Sequence, residues 1–400
     1  MHLRTAVQYA NGQGGSRVIQ LRAGTYKLSV LQGNSDATGD SGDLDVTATA
    51  TIQGAGASLT TITSANQVTW NDRILEADYG ATLTLNDVRI SGGHTTLAGV
   101  EGAPGGGIFS QGGGLTLNRV LVDGNKTSTT GDSTENGGGI SAMSASLVIN
   151  DSTISNNTAG FNGGGVDFEF GTSVTINNST FSGNAAGQDG GGLYNHGSQS
   201  IGGTFSRLFF TGNTSNGTVQ FDAGGGAIYN ELASGIARFT DIMVVGNHAT
   251  RMNGGGVYEN SDPKATVTYD RSTLASNDAD RRGGGFYNGF SRPTVTNSTI
   301  TDNSIHLDDQ NGITDGGGVA VGIVSGVVTL NNDTITRNSA PAASGGGLYV
   351  GSGESIKLHN TLVVNNLGKG GTVSNCHKDG KGSARASSAR VPATATSSTT

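Results

Sequence analysis

Apolar residues recur at fixed offsets along most of the chain. The sets Leu83/Leu85/Ile90, Leu115/Leu117/Val122, Leu147/Ile149/Ile154 and Val174/Ile176/Phe181 are followed by Ala237/Phe239/Val244, Val267/Tyr269/Leu274, Val328/Leu330/Ile335 and Ile356/Leu358/Val363. Two weaker members have Gly203 and Pro293 at the first position. The i, i+2 step is the alternation of a strand, and the jump to +5 marks a short corner followed by a second strand. No helical period runs through this array. The pattern predicts short strands separated by turns.

Two further markers give the array its period. Glycine triplets begin at Gly105, Gly137, Gly163, Gly190, Gly254, Gly283, Gly316 and Gly345, each followed by Ile, Val, Leu or Phe, and Gly225-Gly226-Ala227-Ile228 is a variant. The starts are about 30 residues apart. Between 20 and 23 residues after each start comes an asparagine: 125, 157, 184, 213, 247, 277, 303, 338 and 366. A period near 30 built from short strands fits three strands per coil, each paired with its copy in the next coil. The expected fold is all-β, a right-handed parallel β-helix of the pectate-lyase-like kind. Asn and Gly suit its corners because they tolerate left-handed backbone.

The ends differ. In residues 3–11, Leu3, Ala6, Val7 and Ala10 share one side of a helix, which predicts a short cap on the first coil. The organisation read from the pattern is a capping helix in 1–17, irregular first coils in 18–79, regular repeats in 80–376 and a disordered Ser/Thr/Ala-rich tail in 377–400.

Composition narrows the function. Gly is 68 of 400 residues with only 5 Pro, which points to many tight turns and not to collagen. The formal charge is −8, and since residues 377–400 carry four basic side chains and one acidic, residues 1–376 sum to −11; nucleic acid is not an expected partner of so acidic a body. The single cysteine, Cys376, rules out a disulfide framework and a cysteine zinc site. No apolar run is long enough for a transmembrane helix, and no signal peptide is legible at Met1-His2-Leu3-Arg4.

The paired markers resemble the GGA[ILV] and FxxN repeats of the polymorphic outer membrane protein family of β-helical surface proteins. Literal matches are Gly225-Gly226-Ala227-Ile228, Phe181 to Asn184 and Phe210 to Asn213. The opening LRTAVQYAN…IQLRAGTYKL also resembles the start of large secreted bacterial β-helix proteins, with Thr5 where those carry an acidic residue. The resemblance implies a secreted or cell-surface, adhesin-like protein, expected here as a monomer with an extracellular glycan or a host or neighbour surface protein as partner. The transmembrane β-barrel of autotransporter members has no counterpart in these residues.

Candidate chemistry is sparse. The fold suggests polysaccharide cleavage as an alternative, by a lyase or a glycoside hydrolase. The lyase Arg-x-Pro-x-x-Arg signature is incomplete, since Arg292-Pro293 has no second Arg. Asp308-Asp309 is similar to the polygalacturonase Asp pair, and Asn195-His196-Gly197 to its Gly-His-Gly, but in reversed order. No catalytic residue is assigned, and a non-catalytic binder is the favoured reading. No cofactor is implied; Ca²⁺ would suit a lyase, but no motif argues for it.

Two features are candidate ligand sites. The segment between each Asn and the next triplet varies in length and is long at 304–315, where Asp308, Asp309 and Asp315 make an acidic loop. Aromatic rings stand two residues after the glycine marker: Phe109, Tyr194, Tyr229, Tyr258, Tyr287 and Tyr349. Alternation puts them on the outer side of their strands, so Tyr194, Tyr229, Tyr258 and Tyr287 are expected to form an exposed ladder for sugars or a partner. The competing reading is that stacked rings only join neighbouring coils. The histidines share no ligand spacing, and no zinc site is argued.

Overall fold

The computed structural model describes residues 2–30, 41–67, 69–96, 104–129, 133–170, 173–197, 203–217, 224–306, 315–322, 326–341, 345–380 and 383–386. The chain divides into two compact units, residues 1–187 with 191–204, and residues 188–190 with 205–400. Each is a parallel β-helix.

In the first unit three sheets run from coil to coil. One contains Thr82–Asn86, Gly114–Asn118 and Ser146–Asn150, the second Arg89–Ser91, Leu121–Asp123 and Thr153–Ser155, and the third Ile108–Gln111, Ile140–Met143 and Val166–Glu169. Every pairing is parallel and residue for residue, as in Leu83↔Leu115↔Leu147. The helix Leu3–Gly12 buries Leu3, Val7 and Ala10, as its spacing predicts.

The second unit repeats the plan. Its first sheet includes Ile236–Thr240, Thr266–Asp270 and Val327–Asn331, its second Met243–Val245, Thr273–Ala275 and Thr299–Thr301, and its third Ile228–Leu232, Val257–Glu259 and Phe286–Asn288. The region read as a disordered tail contributes one more strand here, Ser383–Ala386, in register with Ser355–Leu358. Residues 387–400 lie outside the described residues.

The offset sets of the sequence are the interior. Leu83, Leu85, Ile90, Leu115, Leu117, Val122, Val328, Leu330 and Ile335 are all fully buried. A fully buried aliphatic side chain contributes about 1.5–3 kcal/mol, so identical positions stacked coil on coil make a continuous core. In the second unit Phe205, Phe239 and Tyr269 stack inside it, with ring centroids 4.4 and 4.6 Å apart.

The marker asparagines do something other than turn the chain. They are buried, and the left-handed residue is the one before each of them: Gly124, Asn156, Gly183, Gly212, Gly246, Ser276, Asp302, Arg337 and Asn365. Asn125 and Asn157 in the first unit, and Asn213, Asn247, Asn277, Asn303 and Asn338 in the second, each donate the amide nitrogen to the next coil's asparagine oxygen, for example at 3.0 Å from Asn157 to Asn184. The same nitrogen also donates to a strand carbonyl, as Asn157 does to Val122. The asparagine row thus satisfies buried backbone groups that the corner would leave unpaired.

The glycine triplet lies against this row. Its first glycine has a left-handed φ, such as +67° at Gly254. A Cβ on the second, Gly255, would lie 2.2 Å from the Asp278 carbonyl oxygen, and one on the third, Gly256, would lie 2.6 Å from that of Gly285 and 3.1 Å from the Asn277 amide. The two sequence markers are therefore the two halves of one packed corner.

Candidate functional site

The aromatic row sits on the third sheet. In the second unit Tyr229, Tyr258 and Tyr287 are in register, and their ring centroids are 5.1 and 5.0 Å apart. They are on the outer side of their strands, as alternation demands, but they are not exposed: Tyr229 is 6%, Tyr258 2% and Tyr287 0% accessible, and Phe109, Tyr194 and Tyr349 are buried too. The expectation of an open ladder is thus corrected. Chain leaving each strand folds back over the rings. Gly289 is so close that a Cβ there would lie 3.1 Å from the Tyr258 hydroxyl, and one at Gly322 would lie 2.6 Å from that of Tyr287. Tyr229 donates to Glu231 at 2.7 Å, Tyr349 donates to Asp379 at 2.6 Å, and Arg282 lies over the Tyr349 ring.

Some carboxylates on the same sheet are also packed away, while Glu169 is half-buried. In the first unit Asp167 is 1% accessible and accepts from Ser141 at 3.0 Å, and burial pushes its carboxyl well above the usual range. Glu169 accepts from Asn136 at 3.1 Å and pairs in register with His196; its carboxyl is also raised, chiefly by burial. In the second unit Glu259 points inward and accepts from Asn230, Tyr269 and the Ser261 N–H at 2.8–3.1 Å.

The variable part of the repeat builds more than loops. Directly after the marker asparagine it forms a short fourth sheet, Thr158–Ala159 with Ala185–Ala186 in the first unit, and Thr214–Asn216, His248–Thr250, Asp278–Ala279 and Ser304–Ile305 in the second. Ala249, Ala279 and Ile305 face inward and form a small core with Met252 and Ala340. Their neighbours His248, Asp278 and Ser304 face out in register.

Those outward groups converge. One Asp278 oxygen lies 2.8 Å from His248 Nδ1 and 2.8 Å from His306 Nδ1, and the other accepts from Ser304 Oγ at 2.6 Å. Asp280 lies 3.8 Å from His248 Nε2 and accepts from the Arg251 N–H at 2.7 Å. Burial alone would raise the Asp278 carboxyl, but the hydrogen bonds from His248 and Ser304 outweigh it and hold the group below its ordinary value. The same bond to Asp278 raises the His248 imidazole, against the opposing effect of its burial. Unlike the tyrosines, this group is reachable: the side chains of His248 and His306 are 34% and 63% accessible.

Ligand atoms of His248, Asp278 and Asp280 lie within 4.8 Å of one another, a set that would suit a divalent ion of the zinc class, with His306 at hand. Without an ion it is a polarised His–Asp edge able to donate and accept hydrogen bonds. The histidine positions looked unrelated along the sequence. Counted from the marker asparagine they are not: His248, Asp278 and Ser304 each follow it directly, and Asp280 and His306 each stand three residues after it. His306 opens the long acidic segment 304–315; Asp308 and Asp309 lie outside the described residues.

Comparison with known proteins supports the repeat and the fold. Residues 178–196 and 207–231 match the Chlamydia polymorphic membrane protein repeat. The chain carries this repeat over only part of its length. The catalytic domain of Agl-KA is similar in structure, with a TM-score of 0.51 at 16% identity over 96% of this chain; the chain spans 64% of that domain. The A-module of the Azotobacter vinelandii mannuronan C-5 epimerase AlgE6 has a TM-score of 0.41 at 12% identity, with 97% of this chain and 96% of the module covered. No curated protein sequence matches the chain. No helix among the described residues is long and apolar enough to cross a membrane.

Proposed function

We propose that this protein is a non-catalytic β-helix of the cell surface or the secreted space, and that it binds an extracellular ligand through the His248–Asp278–Asp280–His306 edge of its second unit. A glycan or a glycan-bearing surface protein is the ligand class, because paired imidazole and carboxylate groups suit the dense hydroxyls of a sugar. One observation carries the reading: the His248 and His306 side chains of this edge are reachable from solvent, at 34% and 63% accessible, while the tyrosine row and Asp167 and Glu259 on the third sheet are buried. Similarity to the polymorphic membrane protein repeat supports the surface location.

The test is a glycan array run beside a cleavage assay on polygalacturonate and neutral glucans. Binding without product, lost in His248→Ala and Asp278→Ala, is the expected outcome. Release of unsaturated or reducing-end products would overturn it in favour of polysaccharide cleavage. Binding unchanged in both variants would move the ligand away from this edge.

A further inference from the structure

A second group of charged side chains lies in the first unit, among its early coils. Asp45 and Glu76 are paired in register on the outer side of the strands Leu44–Val46 and Leu75–Ala77. Asp43 precedes the first of these strands, and its backbone N–H donates to Asp72 at 3.0 Å. Ligand oxygens of Asp43, Asp45 and Glu76 all lie within 4.8 Å of one another. Arg73 contacts Glu76 and covers the Phe109 ring at 5.0 Å. Arg4, from the capping helix, donates to the backbone carbonyls of Ser41, Gly42 and Asp43.

Two observations set this group apart from a solvated acidic patch. Asp43 is 4% accessible, and among the described residues its Oδ2 atom has no hydrogen-bond partner although it is buried among the other carboxylates. The group is also rich in negative charge: Asp43, Asp45, Asp72 and Glu76 gather around Arg73, which pairs with Glu76. Buried carboxylates in excess either take up protons or hold a cation.

We infer that Asp43, Asp45 and Glu76 hold a divalent cation, Ca²⁺, which ties the first coils of the β-helix together beneath the capping helix. The donors are all oxygen, which selects a hard cation. Asp43 and Asp45 come from one coil and Glu76 from the next, and the larger Ca²⁺ tolerates such an irregular carboxylate set where Mg²⁺ demands a near-ideal octahedron. The Asp43 oxygen without a partner is the group the ion would satisfy. Asp72 stands behind this set and orients it, with one oxygen on the Asp43 N–H and the other on the Arg73 N–H at 2.8 Å.

The molecule carries its own reporter. Trp70 is the chain's single tryptophan, and its indole N–H donates to the Arg73 carbonyl at 3.1 Å. The full chain, stripped with a chelator and desalted, is titrated with Tb³⁺ under tryptophan excitation. Saturable sensitised emission that excess Ca²⁺ displaces is expected, together with a Ca²⁺-dependent rise in the thermal midpoint of roughly 2–5 °C. Asp43→Asn and Glu76→Gln should each weaken the Tb³⁺ response at least tenfold, while Asp241→Asn, which removes an exposed partner of Arg271 in the second unit, leaves it unchanged. Absence of sensitised emission from the wild-type chain overturns the inference, and this arm needs no variant to fold. So does emission that survives in Asp43→Asn, or a wild-type midpoint that rises on acidification but ignores Ca²⁺, because protons would then balance the carboxylates.

Discussion

The side-chain oxygen of Asn303 accepts two hydrogen bonds from Asn277, one from its amide nitrogen at 3.0 Å and one from its backbone N–H at 2.9 Å. Asn277 repeats the arrangement as acceptor from Asn247, and its nitrogen also reaches the Val244 carbonyl at 2.8 Å. Asn277→Ala therefore leaves several buried groups without partners and should cost about 2–4 kcal/mol. Asn277→Asp should cost more at neutral pH, since a carboxylate cannot donate to Val244 or Asn303. Denaturant unfolding of the three proteins checks the order; an alanine variant as stable as the parent would show that the row is ornamental.

The glycine triplet should be unequal in its tolerance. A methyl at Gly255 meets a backbone carbonyl that cannot swing away, whereas Ala227 already occupies the third position of its own triplet. Gly255→Ala is expected to destabilise by roughly 3 kcal/mol and Gly256→Ala by about half as much. Equal losses in thermal unfolding would contradict this reading of the corner.

Tyr258 is stacked between Tyr229 and Tyr287 and buried. Tyr258→Ala should lose about 3–5 kcal/mol, as truncation of a buried aromatic does. At a temperature where the variant remains folded, its ligand binding should match the parent's. Lost binding with stability intact would restore the rings as a contact surface.

Asp333 stands where other coils carry a hydroxyl. Ser272 donates its N–H to Ser298 Oγ at 3.0 Å, and Ser298 in turn donates to an Asp333 oxygen at 2.8 Å. Burial pushes this carboxyl up to about 7, despite the bonds it accepts from the Ser298 and Asn331 N–H groups. The folded state then keeps a proton that the unfolded chain gives up near pH 4. The stability associated with that proton is complete below the unfolded value and is lost as pH rises toward about 7, on the order of 1–3 kcal/mol. Asp333→Ser restores the hydroxyl and should flatten this part of the profile while raising stability at pH 8. Parallel pH profiles for the two proteins would refute the assignment.

The sequence made the coil legible because the forces that build it are periodic. Leu83, Leu85 and Ile90 recur as a set since each sits on its copy in the next coil, and the same holds for the glycine and asparagine markers. Left-handed tolerance accounts for corner residues such as Asn156, Asn178 and Asn297, but the marker asparagines act otherwise, because that tolerance is a property of a single residue while an amide row exists only between coils. Burial of Tyr258 was hidden for a related reason: alternation gives the side of a strand, but not what later folds across it. The His248–Asp278–Asp280–His306 edge was invisible to spacing along the chain, yet it follows once positions are numbered from each asparagine.

The asparagine row also bears on how such a chain can change length. A segment running from the residue after Asn247 through Asn277 carries one complete turn with every one of its corners. Excising it would set the residues after Asn277 directly behind Asn247, with the amide contact between Asn247 and Asn303 remade from identical parts. Whole turns can in this way be lost or duplicated by recombination in the gene without a new junction having to be invented, and the outer face could be lengthened, shortened or reshuffled while its scaffold stays the same.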